Sequence, residues 1–150
     1  MSQSLSKMYL HAIFHVKNNE CLIRPEDEKE LYAYMGGVVK LSHSIPIIIN
    51  GTENHLHVLC ILSKNISLSG FMEEIKTNSS RWIKTLGPHY RKFTWQGGYS
   101  GYSVSHTRVD AVKNYIVNQK EHHKTQNFQD EYIRFLNEND VDYNGDYLWT

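Results

Sequence analysis

Residues 54–62, NHLHVLCIL, place two histidines one residue apart inside an apolar run. Alternate side chains of a strand point to opposite faces, so His55 and His57 share one face while Leu56 and Val58 take the other. A rise of about 3.3 Å per residue sets the imidazoles about 7 Å apart, close enough to converge on one ion. The stretch therefore reads as a strand with one apolar face and one face on which two imidazoles either share an ion or simply form its polar side. Just before it, IPIIIN reads as a second strand, joined through the polar turn GTEN. Residues 8–16, MYLHAIFHV, alternate as well, with Leu10, Ala12, Phe14 and Val16 opposite His11, Ile13 and His15.

Helical signals separate these strands. Pro25 suits the first position of a helix, and Glu26, Asp27 and Glu28 complement its dipole. The pattern predicts a helix over 25–41 despite the cost of Gly36 and Gly37. A second helix is expected from Leu68 to the stop at Gly87-Pro88, followed by the glycine-hinged segment GGYSGYSVS, which ends in a short strand. Thr107 with Asp110 resembles a capping box, launching a helix through Gln119. A last polar helix is expected over 126–137. The order strand, helix, strand, strand, helix, strand, helix predicts an α+β domain of ferredoxin-like (RRM-like) type, an antiparallel sheet with helices packed on it. At 150 residues, 40% apolar and 21% charged, the chain reads as one domain, 1–150. No apolar run could span a membrane, and the N-terminus lacks the regions of a signal peptide. Cys21 and Cys60 fit a reducing cytoplasm better than a disulfide framework.

The net charge is zero but segregated. Residues 75–124 carry nine Lys/Arg against two acids, while the last 26 residues carry one basic and six acidic side chains. The basic block is interleaved with Trp82, Tyr90, Phe93, Trp95 and Tyr99, a composition suited to phosphates and unstacked bases. Lys76, Arg81, Lys84, Arg91 and Lys92 are the candidate phosphate contacts.

Other motifs that begin with His-x-His do not fit. A histidine-triad hydrolase needs a third histidine where Leu59 stands, and a cupin needs a glutamate just beyond the pair. An amidohydrolase barrel needs at least about 200 residues. Any further ligand must come from another element. The best supplier is the segment YIVNQKEHH, where Tyr115 and Gln119 are four apart and share a helical face with Arg108, Ala111 and His122.

A strand-borne His pair, a basic aromatic stretch and a helical Tyr-x-x-x-Gln together resemble the single-tyrosine HUH transposases of single-strand insertion sequences, the IS-two-hundred-like class. The match extends to WQGGYSGYSVS and to YLW near the end of the chain. Asn54 departs from it, standing where an acidic residue is expected before the first histidine.

The resemblance implies that His55, His57 and Gln119 bind Mg²⁺ or Mn²⁺ and that Tyr115 is the nucleophile. It implies cleavage of single-stranded DNA to a 5′-phosphotyrosine and a free 3′-OH, then strand transfer, with recognition of DNA hairpins. It further implies a homodimer whose subunits share their active sites, acting on DNA in the cytoplasm of a bacterial or archaeal cell. A two-tyrosine initiator does not fit, since no second tyrosine sits beside Tyr115. The alternative from another class is a non-catalytic ferredoxin-like module that binds single-stranded nucleic acid. It accounts for the charge block but not for the His pair with Tyr-x-x-x-Gln.

Overall fold

A computed structural model describes residues 2–150. The four strands are β1 (Met8–His15), β2 (Ile45–Gly51), β3 (His55–Leu62) and β4 (Ser100–Val104), hydrogen-bonded in the order β2-β3-β1-β4. All three pairings are antiparallel, and His15 lies opposite His55 and Ile13 opposite His57. The expected α+β sheet of ferredoxin-like order is thus present.

The alternation of β1 and β3 divides the molecule into two layers. Leu10, Ala12 and Phe14 of β1, with Leu56, Val58 and Cys60 of β3, face the main core. α1 (Glu28–Leu41) and α2 (Leu68–Ile83) close that core with Leu31, Met35, Phe71, Met72 and Ile75, all essentially without solvent contact. Each such side chain contributes about 1.5–3 kcal/mol through burial, which outweighs the helix cost of about 1 kcal/mol for each of Gly36 and Gly37. On the other face Ile13 and Tyr102 receive α5 (Phe128–Glu138) through Phe128, Tyr132 and Leu136, with Leu148 and Trp149 of the tail packed alongside.

Three local expectations change. The helix after β4 is not continuous, because α3 (Val109–Val117) breaks at Asn118 and a short α4 (Gln119–His122) follows. At the break Asn50 donates from Nδ2 to Ile116 O at 2.9 Å and Val117 O at 3.2 Å, which satisfies carbonyls that the helix end would leave free. Thr107 forms no capping box; its Oγ1 lies 3.1 Å from Ser105 Oγ, and α3 starts without a side-chain cap. Gly101 is no hinge. It sits within β4 opposite Ala12, where a Cβ would come 3.4 Å from the side chains of Leu10 and Leu68.

Cys21 and Cys60 are buried free thiols. Among the described residues no helix is long and apolar enough to cross a membrane.

Candidate active site

β3 presents His55 and His57 side by side on the face away from the main core, and both are fully buried. The turn that delivers them is tight: Thr52 N–H donates to His55 O at 3.0 Å, and Gly51 packs against the same carbonyl. A Cβ at residue 51 would lie 2.0 Å from His55 O, so the sharp entry into β3 requires glycine.

From the opposite layer α4 supplies Gln119 and α5 supplies Glu131, each also at 0% exposure. Gln119 Oε1 lies 2.8 Å from His55 Nε2, and Glu131 Oε1 lies 3.3 Å from His55 Nε2 and 3.0 Å from His57 Nε2. One ligand atom from each of His55, His57 and Glu131 falls within 4.8 Å of the other two. The carboxylate also accepts from His123 Nε2 at 3.2 Å and from Gln119 Nε2 at 3.0 Å. Burial alone would raise the Glu131 pKa, but the His123, His55 and His57 rings set against the carboxylate override it and hold the carboxyl well below the usual range.

The hydrogen bonds behind the rings decide which nitrogens face the cluster. His55 Nδ1–H donates to Asn54 Oδ1 at 2.9 Å and lies 3.0 Å from Thr52 Oγ1. The neutral ring then turns the lone pair of Nε2 toward two oxygens. His57 Nδ1 lies 2.8 Å from His11 Nε2; with the hydrogen of that bond on His57 Nδ1, His57 Nε2 is left free to act as a ligand. Burial pulls the His55 pKa down to about 4, so the ring offers no proton to those oxygens at neutral pH. Lone pairs this close repel one another unless a positive charge sits among them. Two imidazole nitrogens, an amide oxygen and a carboxylate oxygen suit a divalent cation.

Tyr115, near the end of α3, donates its hydroxyl to Glu131 Oε2, the oxygen turned away from the histidines. Arg134 Nη2 donates to the same phenol oxygen at 2.9 Å, and the His122 ring stacks on the tyrosine at 4.4 Å. Burial and the Glu131 carboxylate raise the Tyr115 pKa, and the Arg134 charge opposes them.

One chain therefore brings together His55, His57, Gln119 and Tyr115, all four expected from the sequence. Glu131, Arg134 and His11 were missed. Glu131 carried a legible signal, since it lies within the stripe Phe128, Tyr132, Phe135, Leu136 of a helix read as merely polar. His11 showed only as part of the alternation of its strand, yet its Nε2 lies 2.8 Å behind His57 Nδ1.

The five candidate DNA contacts lie elsewhere and in two groups. Lys76, Arg81 and Lys84 line a depression along α2, and Arg91 and Lys92 line another near Cys21. Lys76 is committed within the fold, donating to Gln96 O at 2.8 Å and Gly98 O at 2.6 Å.

A ferredoxin-like sheet bearing a buried metal-ligating cluster and a tyrosine on one face places the molecule in the transposase class once known proteins are set beside it. The profile described as "Transposase IS200 like" matches residues 4–119. The chain belongs to the IS200-like transposase family and so to the enzymes of transposition. A candidate transposase from Deinococcus radiodurans R1 shares the fold at a TM-score of 0.61 and 18% identity, covering 79% of this chain and 98% of that one. A REP-associated tyrosine transposase, solved bound to a REP hairpin, shares it at 0.58 and 13%, covering 85% and 76%. No curated protein sequence matches the chain.

Proposed function

We propose that this protein cleaves and rejoins single-stranded DNA, using Tyr115 as nucleophile beside a divalent metal and recognising DNA hairpins through its basic surface. The observation that carries the reading is the convergence of His55, His57, Gln119 and Glu131 with the Tyr115 hydroxyl on the same carboxylate. His55 and His57 would hold the ion through Nε2, with Gln119 Oε1 and Glu131 Oε1 completing a set that favours Mg²⁺ or Mn²⁺. Such an ion supplies Lewis-acid polarisation of the scissile phosphate.

Tyr115 Oη attacks phosphorus, the bond to the 3′ oxygen breaks, and the phenol proton, relayed through Glu131 Oε2, ends on the leaving oxygen, so that a 5′-phosphotyrosine and a free 3′-OH result. Glu131 Oε2, which already accepts the phenol hydrogen bond, is placed to take the proton. Arg134 is placed to stabilise the phenolate. Because the phosphodiester is conserved in the tyrosyl linkage, the 3′-OH of another strand can reverse the step and complete strand transfer. Arg81, Lys84, Arg91 and Lys92 would contact phosphates of the hairpin, a role that the hairpin-bound relative supports by analogy of fold, while Lys76 is held by Gln96 O and Gly98 O. Homodimerisation belongs to the same reading.

The test is a covalent adduct. Wild-type protein with labelled single-stranded hairpin DNA, taken from the sequence flanking its gene, and Mg²⁺ or Mn²⁺ should form an SDS-resistant complex. Tyr115→Phe should not. His57→Ala should lose cleavage while keeping hairpin binding. Equal adduct formation by Tyr115→Phe would sink the assignment, and hairpin binding with no adduct from any variant would favour a binding module.

A further inference from the structure

A cavity of about 470 Å³ opens beside the histidine cluster, between the turn after β1, the turn before β3 and the start of α5. Its rim is built of amides: Asn18, Asn19, Asn54, Asn127 and Gln129, with Trp149 as an aromatic wall. No charged side chain lines it, which disfavours a phosphate and fits a neutral, planar, hydrogen-bonding group.

Two of the amides are oriented. Asn54 Oδ1 is occupied by the Thr52 hydroxyl at 3.0 Å and His55 Nδ1–H at 2.9 Å, and Asn127 Oδ1 by Asp130 N–H at 2.8 Å. Each therefore has its NH₂ left to donate. The side chains of Asn18, Asn19 and Gln129 make no hydrogen bond among the described residues. Asn18 and Asn19 sit at φ 51° and 55°, a left-handed turn pinned by Asn18 N–H donating to Trp149 O at 3.0 Å. The cavity also adjoins the candidate active site directly, since Phe128 stacks on His55 at 4.1 Å and Asn54 holds the same ring.

We propose that this cavity is a nucleobase pocket. It takes one unstacked base of the DNA strand next to the cleaved phosphate and prefers bases rich in carbonyl acceptors, thymine or guanine. Asn54 and Asn127 donate to the base edge, Asn18 and Gln129 adapt to it, and Trp149 offers a stacking surface. The inference rests on the proposed action on single strands only for the presence of a strand at the site.

The experiment compares strands with equal numbers of phosphates: fluorescein-labelled d(T)8, d(A)8 and a fully abasic 8-mer, titrated by anisotropy in EDTA so that no cleavage intervenes. The wild type should bind d(T)8 about tenfold tighter than the abasic strand, as expected for one well-stacked, hydrogen-bonded base, and tighter than d(A)8. The double variant Asn18→Ala/Gln129→Ala, both at exposed positions, should cut the d(T)8 advantage to threefold or less with abasic binding unchanged. Trp149→Leu should do the same. A wild type that does not distinguish d(T)8 from the abasic strand overturns the pocket, as does an advantage that survives in both variants. A protein that never forms the Tyr115 adduct yet shows this pattern supports the pocket and removes the cleavage reading. Adduct formation with a flat pattern removes the pocket alone.

Discussion

Glu131 concentrates more chemistry than any other single residue here. Its two oxygens meet the rings of His57 and His123, the amide of Gln119 and the hydroxyl of Tyr115 at a fully buried position. Removing the side chain strands several buried donors, so Glu131→Ala should lower unfolding free energy by an amount on the order of 3 kcal/mol, read from denaturant melts. Glu131→Gln keeps the shape and loses the charge. It should remain folded while its Mn²⁺ affinity, measured by calorimetry, falls at least about tenfold. Acid should weaken the same region. Burial, with the His57 ring beside it, holds the His11 pKa at about 3, and burial holds that of His55 at about 4, against about 6.5 in an unfolded chain. Between about pH 6.5 and 4 the unfolded chain binds protons that the folded one refuses. Stability is thus full above that window and falls as pH drops through it. Metal-free protein should show its melting temperature declining steadily from pH 7 to pH 4, and a flat profile would contradict the buried neutral rings.

At the scale of elements, the turn between β2 and β3 and the break after α3 do most to place the site. Gly51→Ala would set a Cβ against His55 O, forcing the turn open and shifting the first histidine. A loss of about 1–3 kcal/mol is expected, with weakened metal binding even where the fold survives; an unchanged Mn²⁺ isotherm would argue against this role. The break at Asn118 has the opposite logic, because Asn50 and the Lys120–Glu28 ion pair at 2.8 Å steer α4 so that Gln119 points inward. The strands and main helices were legible because their periods of two and 3.6 are local properties of the chain. The break was not, since the Asn50 amide that caps it lies 66 residues away in β2.

For the whole molecule, the question is whether one chain works alone or shares its active site with a second. Within one chain Gln119 meets His55 and Tyr115 meets Glu131, so a single subunit carries every residue of the cluster. Mixing Tyr115→Phe with His57→Ala should therefore restore no adduct formation, whereas recovered activity would demonstrate sites shared in a dimer. The sequence by itself determined the layered α+β order, the common face of His55 and His57, and the candidacy of Tyr115 and Gln119. Strand alternation and helical spacing follow from backbone geometry and need no distant partner. Only the tertiary structure decided that the C-terminal helix lays Glu131 and Arg134 over that face, that His11 and Asn54 orient the two imidazoles, and that the basic side chains lie apart from them. Those relations join residues as many as 76 positions apart, and packing between layers, not any local pattern, brings them into contact.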